Sequence, residues 1–81
     1  MKHARDDYNR IQDPEGLIPE NEPVFLLRGQ DITAPSLLLE WANKNEELNG
    51  DPELIKLARE QAVRMIHWQN MGYGRRKKAD L

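Results

Sequence analysis

Two amphipathic stretches of this chain meet at a short polar joint, residues 49–51, which constrains the fold more than any other feature. Gly50 is expected to end a first helix, which the spacing of apolar residues predicts from about residue 34 to residue 49. Asp51 is expected to cap a second helix that runs from residue 52 to residue 70 or 71. Because the connection is so short, the two helices are predicted to form an antiparallel αα-hairpin.

Both predicted helices carry an apolar face. The first helix has apolar residues at helical spacing on one face, whereas Leu39 points away from it; that face holds Leu37, Leu38, Trp41, Ala42 and Leu48. On the second helix, apolar residues between Leu54 and Trp68 cover roughly half of the circumference. This face is wider than one neighbouring helix needs, so the second helix is expected to pack also on the strand or on another subunit.

An apolar run precedes the helices. Residues 24–28 are predicted to form a short strand with Pro23 at its first position. The apolar residues of this run do not alternate with polar ones. This pattern indicates a strand that is covered on both faces, or on one face by helices and on the other by a partner chain. Because a lone strand leaves its backbone groups unpaired, it is expected to pair with the N-terminal arm near Tyr8 to Gln12, or with the same strand of another copy.

The chain divides into three parts on this interpretation. Residues 1–22 are rich in turn signals and are predicted to be an extended arm. Residues 23–71 form the core, and residues 72–81 form a basic flexible tail. The predicted fold class is therefore mainly α, with a short N-terminal β-strand followed by the antiparallel αα-hairpin, assembled as a homo-oligomer. Self-association is expected because a single core in so small a domain typically leaves only about 3–5 kcal/mol of stability.

Several classes of function are excluded by composition. The 81 residues include no Cys and only two His, so neither a disulfide nor a metal centre is predicted, and no cofactor loop is present. No hydroxyl or thiol nucleophile is paired with a base, so the protein is not expected to be an enzyme. No apolar stretch approaches the about 18–20 residues needed to span a bilayer, and no signal peptide is found. The expected location is the cytoplasm.

A compact polar cluster follows the predicted strand and is the best candidate binding site. The planar fork of donors on Arg28 suits phosphate or carboxylate, and the free N–H groups of a helix start would add to it. Gln30 can read an amide or base edge, and Asp31 can accept a hydrogen bond from a ribose hydroxyl. The alternative is structural: Arg28 pairs with Asp31 or Glu22, while Gly29 only makes the turn.

Further candidates lie on the second helix and after it. Arg64 and His67 are three residues apart and can supply cationic donors along one face. Trp68 or Tyr73 can stack on a base. The alternatives are a solvated charged face for Arg64 and His67, and core or interface packing for the aromatic residues.

One continuous segment, Leu17 through Asp31, includes Pro23-Val24-Phe25-Leu26-Leu27-Arg28. It is followed in order by Ala34-Pro35, Gly50-Asp51-Pro52, and a helix with Met65 and Trp68. In this order they resemble a family of small proteins encoded by bacteriophages and prophages. The likeness covers residues 8–68 and assigns no residue roles. It implies a setting in the host-cell cytoplasm, where compact phage proteins frequently inhibit host systems by sequestering a ligand or blocking a partner.

Three functions are open on these grounds. The leading hypothesis is a small oligomeric binding protein, an anti-defence sponge that sequesters a phosphate-bearing nucleotide signal at residues 28, 30, 31, 64, 67, 68 and 73. The second is a protein–protein inhibitor that docks on a host enzyme through an apolar helix face and Leu39. The third is nucleic-acid binding through the cationic run at residues 75–78.

Overall fold

A computed structural model of the chain describes residues 2–3, 13 and 15–71; the predicted tail at 72–81 and the suggested strand partner near Tyr8 to Gln12 lie outside the described residues. The elements in chain order are β1 (Lys2–His3), β2 (Pro23–Val24), α1 (Ala34–Glu47) and α2 (Pro52–Asn70). The described part of the chain is mainly helical, as the sequence predicts. No helix within these ranges is long and apolar enough to cross a membrane.

The strand is shorter than the apolar run that predicts it. Only Pro23 and Val24 are in β2, and residues 25–28 have no strand conformation. β2 pairs in parallel with β1, with Lys2 opposite Pro23 and His3 opposite Val24. The prediction of a strand through residue 28 is therefore wrong, because a ladder extends only as far as a partner offers backbone groups. The partner is an N-terminal segment, as expected, but at different residues.

Within this single chain the run is not buried on both faces, and cover by a partner chain stays a prediction. Phe25 is 66% exposed and Leu26 is 39% exposed. Apolar side chains without alternation are typical of a buried strand, but they do not require one. Here the run leads from the short sheet to the start of α1.

The joint between the helices uses a left-handed residue that is not glycine. Asn49 has a φ of 58°. Its N–H donates to the carbonyl of Glu46 at 3.1 Å, and the N–H of Gly50 donates to the carbonyl of Asn45 at 2.7 Å. These two bonds are the Schellman pattern, which satisfies the last carbonyls of a helix. α1 therefore ends at Glu47, two residues earlier than predicted.

We expect Asn49→Gly to stabilise the protein by about 0.5 kcal/mol, because glycine adopts a positive φ without the steric cost of a Cβ. The thermal midpoint, followed by circular dichroism, should rise by about 2–4 °C. Gly50→Ala is the opposing control, since an added Cβ would lie 3.0 Å from the carbonyl oxygen of Asn45. An unchanged or lower midpoint for Asn49→Gly would contradict the assigned conformation.

α2 begins and ends as predicted. The carboxylate of Asp51 accepts a hydrogen bond from the N–H of Glu53 at 2.9 Å, and Pro52 occupies the first turn. Both features are local to the joint, so neighbouring residues alone determine them. The last helical residue is Asn70.

The helices contact each other through small side chains. Ala42 of α1 packs with Ile55 and Ala58 of α2, and Leu38 packs against this cluster. Alanines at such a contact let two helix axes approach closely. The pair forms a helical hairpin whose interior is narrow.

One cation links the solvent side of the two helices. Arg59 donates to a carboxylate oxygen of Glu46 at 2.9 Å and to the side-chain oxygen of Asn43 at 3.0 Å. The hydrogen bond from Arg59, and then its charge, lower the pKa of Glu46. The same hydrogen bond raises the pKa of Arg59. The pair links the C-terminal half of α1 to the N-terminal half of α2, and because both groups are exposed to solvent it adds little to stability.

Candidate functional site

A cavity of about 370 Å³ lies between the segment before α1 and the C-terminal half of α2. We call it the Arg28 cavity. Its walls are Leu27, Arg28, Gly29, Gln30, Gln61, Arg64, Met65 and Trp68. Four of the residues that the sequence singles out therefore meet at one place, although they come from two segments of the chain: Arg28, Gln30, Arg64 and Trp68.

The amide of Gln69 ties the two walls of the cavity together. Its nitrogen donates to the carbonyl of Gly29 at 2.8 Å and to the carbonyl of Asp31 at 3.0 Å. One amide nitrogen carries two protons and can serve both acceptors. Sequence reasoning missed this residue. No side-chain pattern in the sequence marks it, because both of its acceptors are main-chain carbonyls distant along the chain.

Asp31 has a different place from the one predicted. It is 7% exposed and does not line the cavity. One oxygen of its carboxylate accepts from the N–H of Thr33 at 2.8 Å and from the hydroxyl of Thr33 at 2.6 Å. Thr33 itself, at the N-cap position of α1, makes no side-chain cap bond. The carboxylate of Asp31 therefore shapes the turn before α1, and we assign it no ligand contact.

The two guanidinium groups of the cavity, those of Arg28 and Arg64, make few hydrogen bonds within the described residues. Arg64 donates to the side-chain oxygen of Gln61 at 3.4 Å, which is a long bond. Within residues 13 and 15–71, no salt bridge or side-chain hydrogen bond engages Arg28, so the alternative pairing with Asp31 or Glu22 is not seen there. Each group offers five N–H donors in a planar fork. The cavity can therefore present two cationic forks to an anion.

Two other predicted site residues do not contribute to this cavity. His67 is exposed on α2 and is not among the lining residues; its carbonyl accepts from the N–H of Met71 at 2.9 Å. Tyr73 lies outside the described residues. In the part of the chain that the structure describes, no group of three or more His, Cys, Asp or Glu side chains is placed to hold a metal ion.

A second concave surface, of about 500 Å³, runs between the faces of α1 and α2. We call it the apolar groove. Its lining is Leu27, Leu37, Leu38, Trp41, Leu54, Leu57, Ala58, Gln61 and Arg64. Three of these residues, Leu27, Gln61 and Arg64, also line the Arg28 cavity, so the two concave surfaces share a wall.

The apolar groove leaves large side chains in contact with water. Leu37 is 47% exposed, Trp41 40%, Leu54 51% and Leu57 56%. In contrast, the buried apolar residues of the two helices are small apart from Ile55 and Pro35; the others are Ala34, Ala42, Ala58 and Ala62. Since full burial of a leucine contributes about 1.5–3 kcal/mol, the groove holds unrealised hydrophobic stabilisation.

Comparisons with known proteins found no match: no protein-family model, no curated protein and no solved structure is similar to this chain. The resemblance to small phage and prophage proteins therefore stays a prediction. The function proposed below depends on the geometry of the Arg28 cavity and the apolar groove.

Proposed function

We propose that the protein is a small homo-oligomeric binding protein, built on an antiparallel αα-hairpin, that captures a phosphate-bearing small molecule in the Arg28 cavity. The observation that carries the proposal is the meeting of Arg28, Arg64 and Trp68 at one cavity. In the phage setting that the sequence suggests, capture of a nucleotide signal would withhold it from a host defence system. The protein would then act by binding alone.

The chemistry of the walls suits a nucleotide. A planar guanidinium binds two phosphate oxygens at once, and Arg28 and Arg64 together can hold a dianion. The indole of Trp68 can stack on a base, a contact worth about 1–3 kcal/mol. The amides of Gln30 and Gln61 can donate to and accept from polar ring edges. A cavity of about 370 Å³ falls in the size range of small-molecule sites.

The same walls argue against turnover. Among the described residues, those that line the cavity include no Ser, Thr, Cys, His, Asp or Glu. General bases and nucleophiles come mainly from these side chains; Lys and Tyr, which can also serve, are likewise not among the described residues that line the cavity. The proposed role is therefore sequestration rather than catalysis.

Arg28→Ala is expected to weaken nucleotide binding at least tenfold, because one of two phosphate-binding forks is removed. Isothermal titration calorimetry with a panel of mononucleotides and cyclic dinucleotides measures this, with adenosine and inorganic phosphate separating the base from the phosphate. Lys56→Ala is the matched control, since it removes one exposed cation of α2 outside the cavity. The proposal fails when no phosphate-bearing compound binds the wild-type protein, or when Arg28→Ala binds as tightly as Lys56→Ala.

A second candidate function is inhibition of a host enzyme by docking. The exposed apolar groove favours it. Leu39 is 36% exposed on α1 but does not line the groove, so it would touch such a partner at a separate place. A single host protein bound in a defined ratio, measured with purified components, would support this function. Nucleic-acid binding through residues 75–78 stays a prediction that lies outside the described residues, and it predicts a steep dependence on salt.

A further inference from the structure

The composition of the apolar groove indicates a permanent partner. Seven of its nine lining residues are apolar, and its only charged residue, Arg64, lies at the end that meets the Arg28 cavity. Interfaces that form and dissociate are about as polar as the rest of a protein surface, whereas obligate interfaces resemble a domain core cut in half. The composition of the groove is that of an obligate interface.

We propose that a second copy of this chain covers the apolar groove, groove against groove about a two-fold axis. The two hairpins would then form a four-helix bundle, with Leu37, Trp41, Leu54 and Leu57 of both copies in its core. A second copy is present whenever the protein is made, so it can supply the cover that a hairpin with an alanine-rich interior needs at all times. A foreign protein can supply that cover only after it is encountered.

The dimensions of the hairpin are compatible with a stable dimer. α1 has 14 residues and α2 has 19. At 1.5 Å per residue and about 10 Å per helix diameter, the face of the hairpin projects roughly 400–500 Å². The accessible surface of such a corrugated face is larger than its projection. Two copies would therefore bury more than about 900 Å² in total, which is near the lower limit of about 1,000 Å² for a specific interface.

Charge fixes the direction of the two copies. Arg64 lies at the C-terminal end of the groove on α2, and Leu54 lies at the N-terminal end. A two-fold arrangement with the two α2 helices antiparallel places each Arg64 against the apolar end of the other groove. The parallel arrangement would bring both guanidinium groups together. Like charges in contact are unfavourable, so the antiparallel arrangement is expected.

The partner also closes one edge of each Arg28 cavity, because Leu27, Gln61 and Arg64 belong to both surfaces. A copy seated on the groove would hold the aliphatic part of Arg64 in place before a ligand arrives, and this reduces the entropy lost on binding. Self-association would then increase the affinity for the ligand, and ligand binding would in turn favour the dimer. This coupling rests on the proposed function, whereas the dimer itself does not.

The dimer is tested by sedimentation velocity over a range of protein concentrations without any nucleotide. Wild type is expected to sediment as a dimer at micromolar concentration, whereas Leu57→Glu places a carboxylate in the groove and should raise the dissociation constant at least 100-fold. Val63→Glu is the matched control, because Val63 is 63% exposed on α2 and lines neither the groove nor the cavity. Wild type that stays monomeric at millimolar concentration overturns the proposal, as does a monomer that associates only with a foreign protein.

A second measurement applies even when Leu57→Glu fails to fold. The chain has no Cys, so a single Leu57→Cys variant carries one reactive thiol. A short bismaleimide should join Leu57→Cys protomers into covalent dimers and should leave Val63→Cys monomeric. Equal cross-linking of both variants overturns the proposed face.

A separate measurement tests the coupling between dimer formation and nucleotide binding. Calorimetry with the tightest nucleotide of the panel is expected to show an affinity at least about fivefold lower for Leu57→Glu than for Val63→Glu. A wild-type dimer that binds no nucleotide refutes the proposed function and leaves the dimer standing. Equal affinities of the two variants refute the coupling alone.

Discussion

Gln69→Leu is expected to release the Arg28 to Asp31 segment from α2 and to lower the free energy of unfolding by about 2 kcal/mol. Leucine keeps much of the side-chain volume but leaves the part-buried carbonyl of Gly29 without its donor. The carbonyl of Asp31 loses one of two donors, because it still accepts from the N–H of Ala34 at 3.1 Å. An unsatisfied carbonyl costs about 1–3 kcal/mol, and the loss at Gly29 is therefore the main part of the expected change. For a domain of this size the thermal midpoint should fall by roughly 8–16 °C, measured by circular dichroism.

The same substitution should also weaken the ligand site. The position of Arg28 relative to Arg64 depends on the segment that Gln69 holds, and a displaced fork no longer shares one phosphate group with its neighbour. Asn70→Leu is the matched control, since it changes an adjacent exposed amide in the same helix. A Gln69→Leu protein that unfolds at the temperature of Asn70→Leu would show that these two bonds do not hold the segment.

The start of α2 and the end of α1 show which parts of the fold are determined by neighbouring residues. α2 begins at Pro52 as predicted, because the cap made by Asp51 involves only its immediate neighbours. α1 ends two residues early because Asn49 takes the left-handed conformation in place of Gly50. Both residue types tolerate that conformation, so the choice between them is set by the geometry of the connection to α2.

The length of β2 cannot be determined from neighbouring residues alone. The apolar run at residues 24–28 has the composition of a buried strand, yet only Val24 of it is in β2. The length of a strand depends on how many backbone groups a distant segment offers, and β1 offers two residues. Such pairing depends on contacts across the chain, and an apolar pattern carries no information about its extent.

The sequence predicts which residue types form the candidate site, but it does not predict how they are arranged. Arg28, Gln30, Arg64 and Trp68 were singled out for their chemistry, and the hairpin brings them to one cavity. Gln69 was missed because its two acceptors are main-chain carbonyls 40 and 38 residues away, which leave no side-chain pattern to find. The local role of Asp31 has the converse explanation: a carboxylate before a helix serves local N–H and hydroxyl donors as readily as a ligand, and here it accepts from Thr33.

Ala42→Leu is expected to destabilise the hairpin by about 2–3 kcal/mol, a large part of the about 3–5 kcal/mol available to so small a domain. Ala42 has no solvent exposure and packs between the helices with Ile55 and Ala58. The larger side chain has no space there, so the helices must separate or adopt strained rotamers. Urea unfolding should show a much lower midpoint, or no cooperative transition.

Control variants distinguish the packing of Ala42 against Ile55 from the general effect of a larger side chain. Glu47→Leu adds a leucine at an exposed position of α1 and should change stability by less than about 0.5 kcal/mol. Ile55→Ala alone should cost about 2–4 kcal/mol, because it removes the largest side chain of the contact cluster. Combined with Ala42→Leu it restores volume to the same space, so the double variant should be more stable than the sum of the two losses predicts. Strict additivity would contradict direct packing of residues 42 and 55, and with it the narrow interface from which we infer that the hairpin needs a partner.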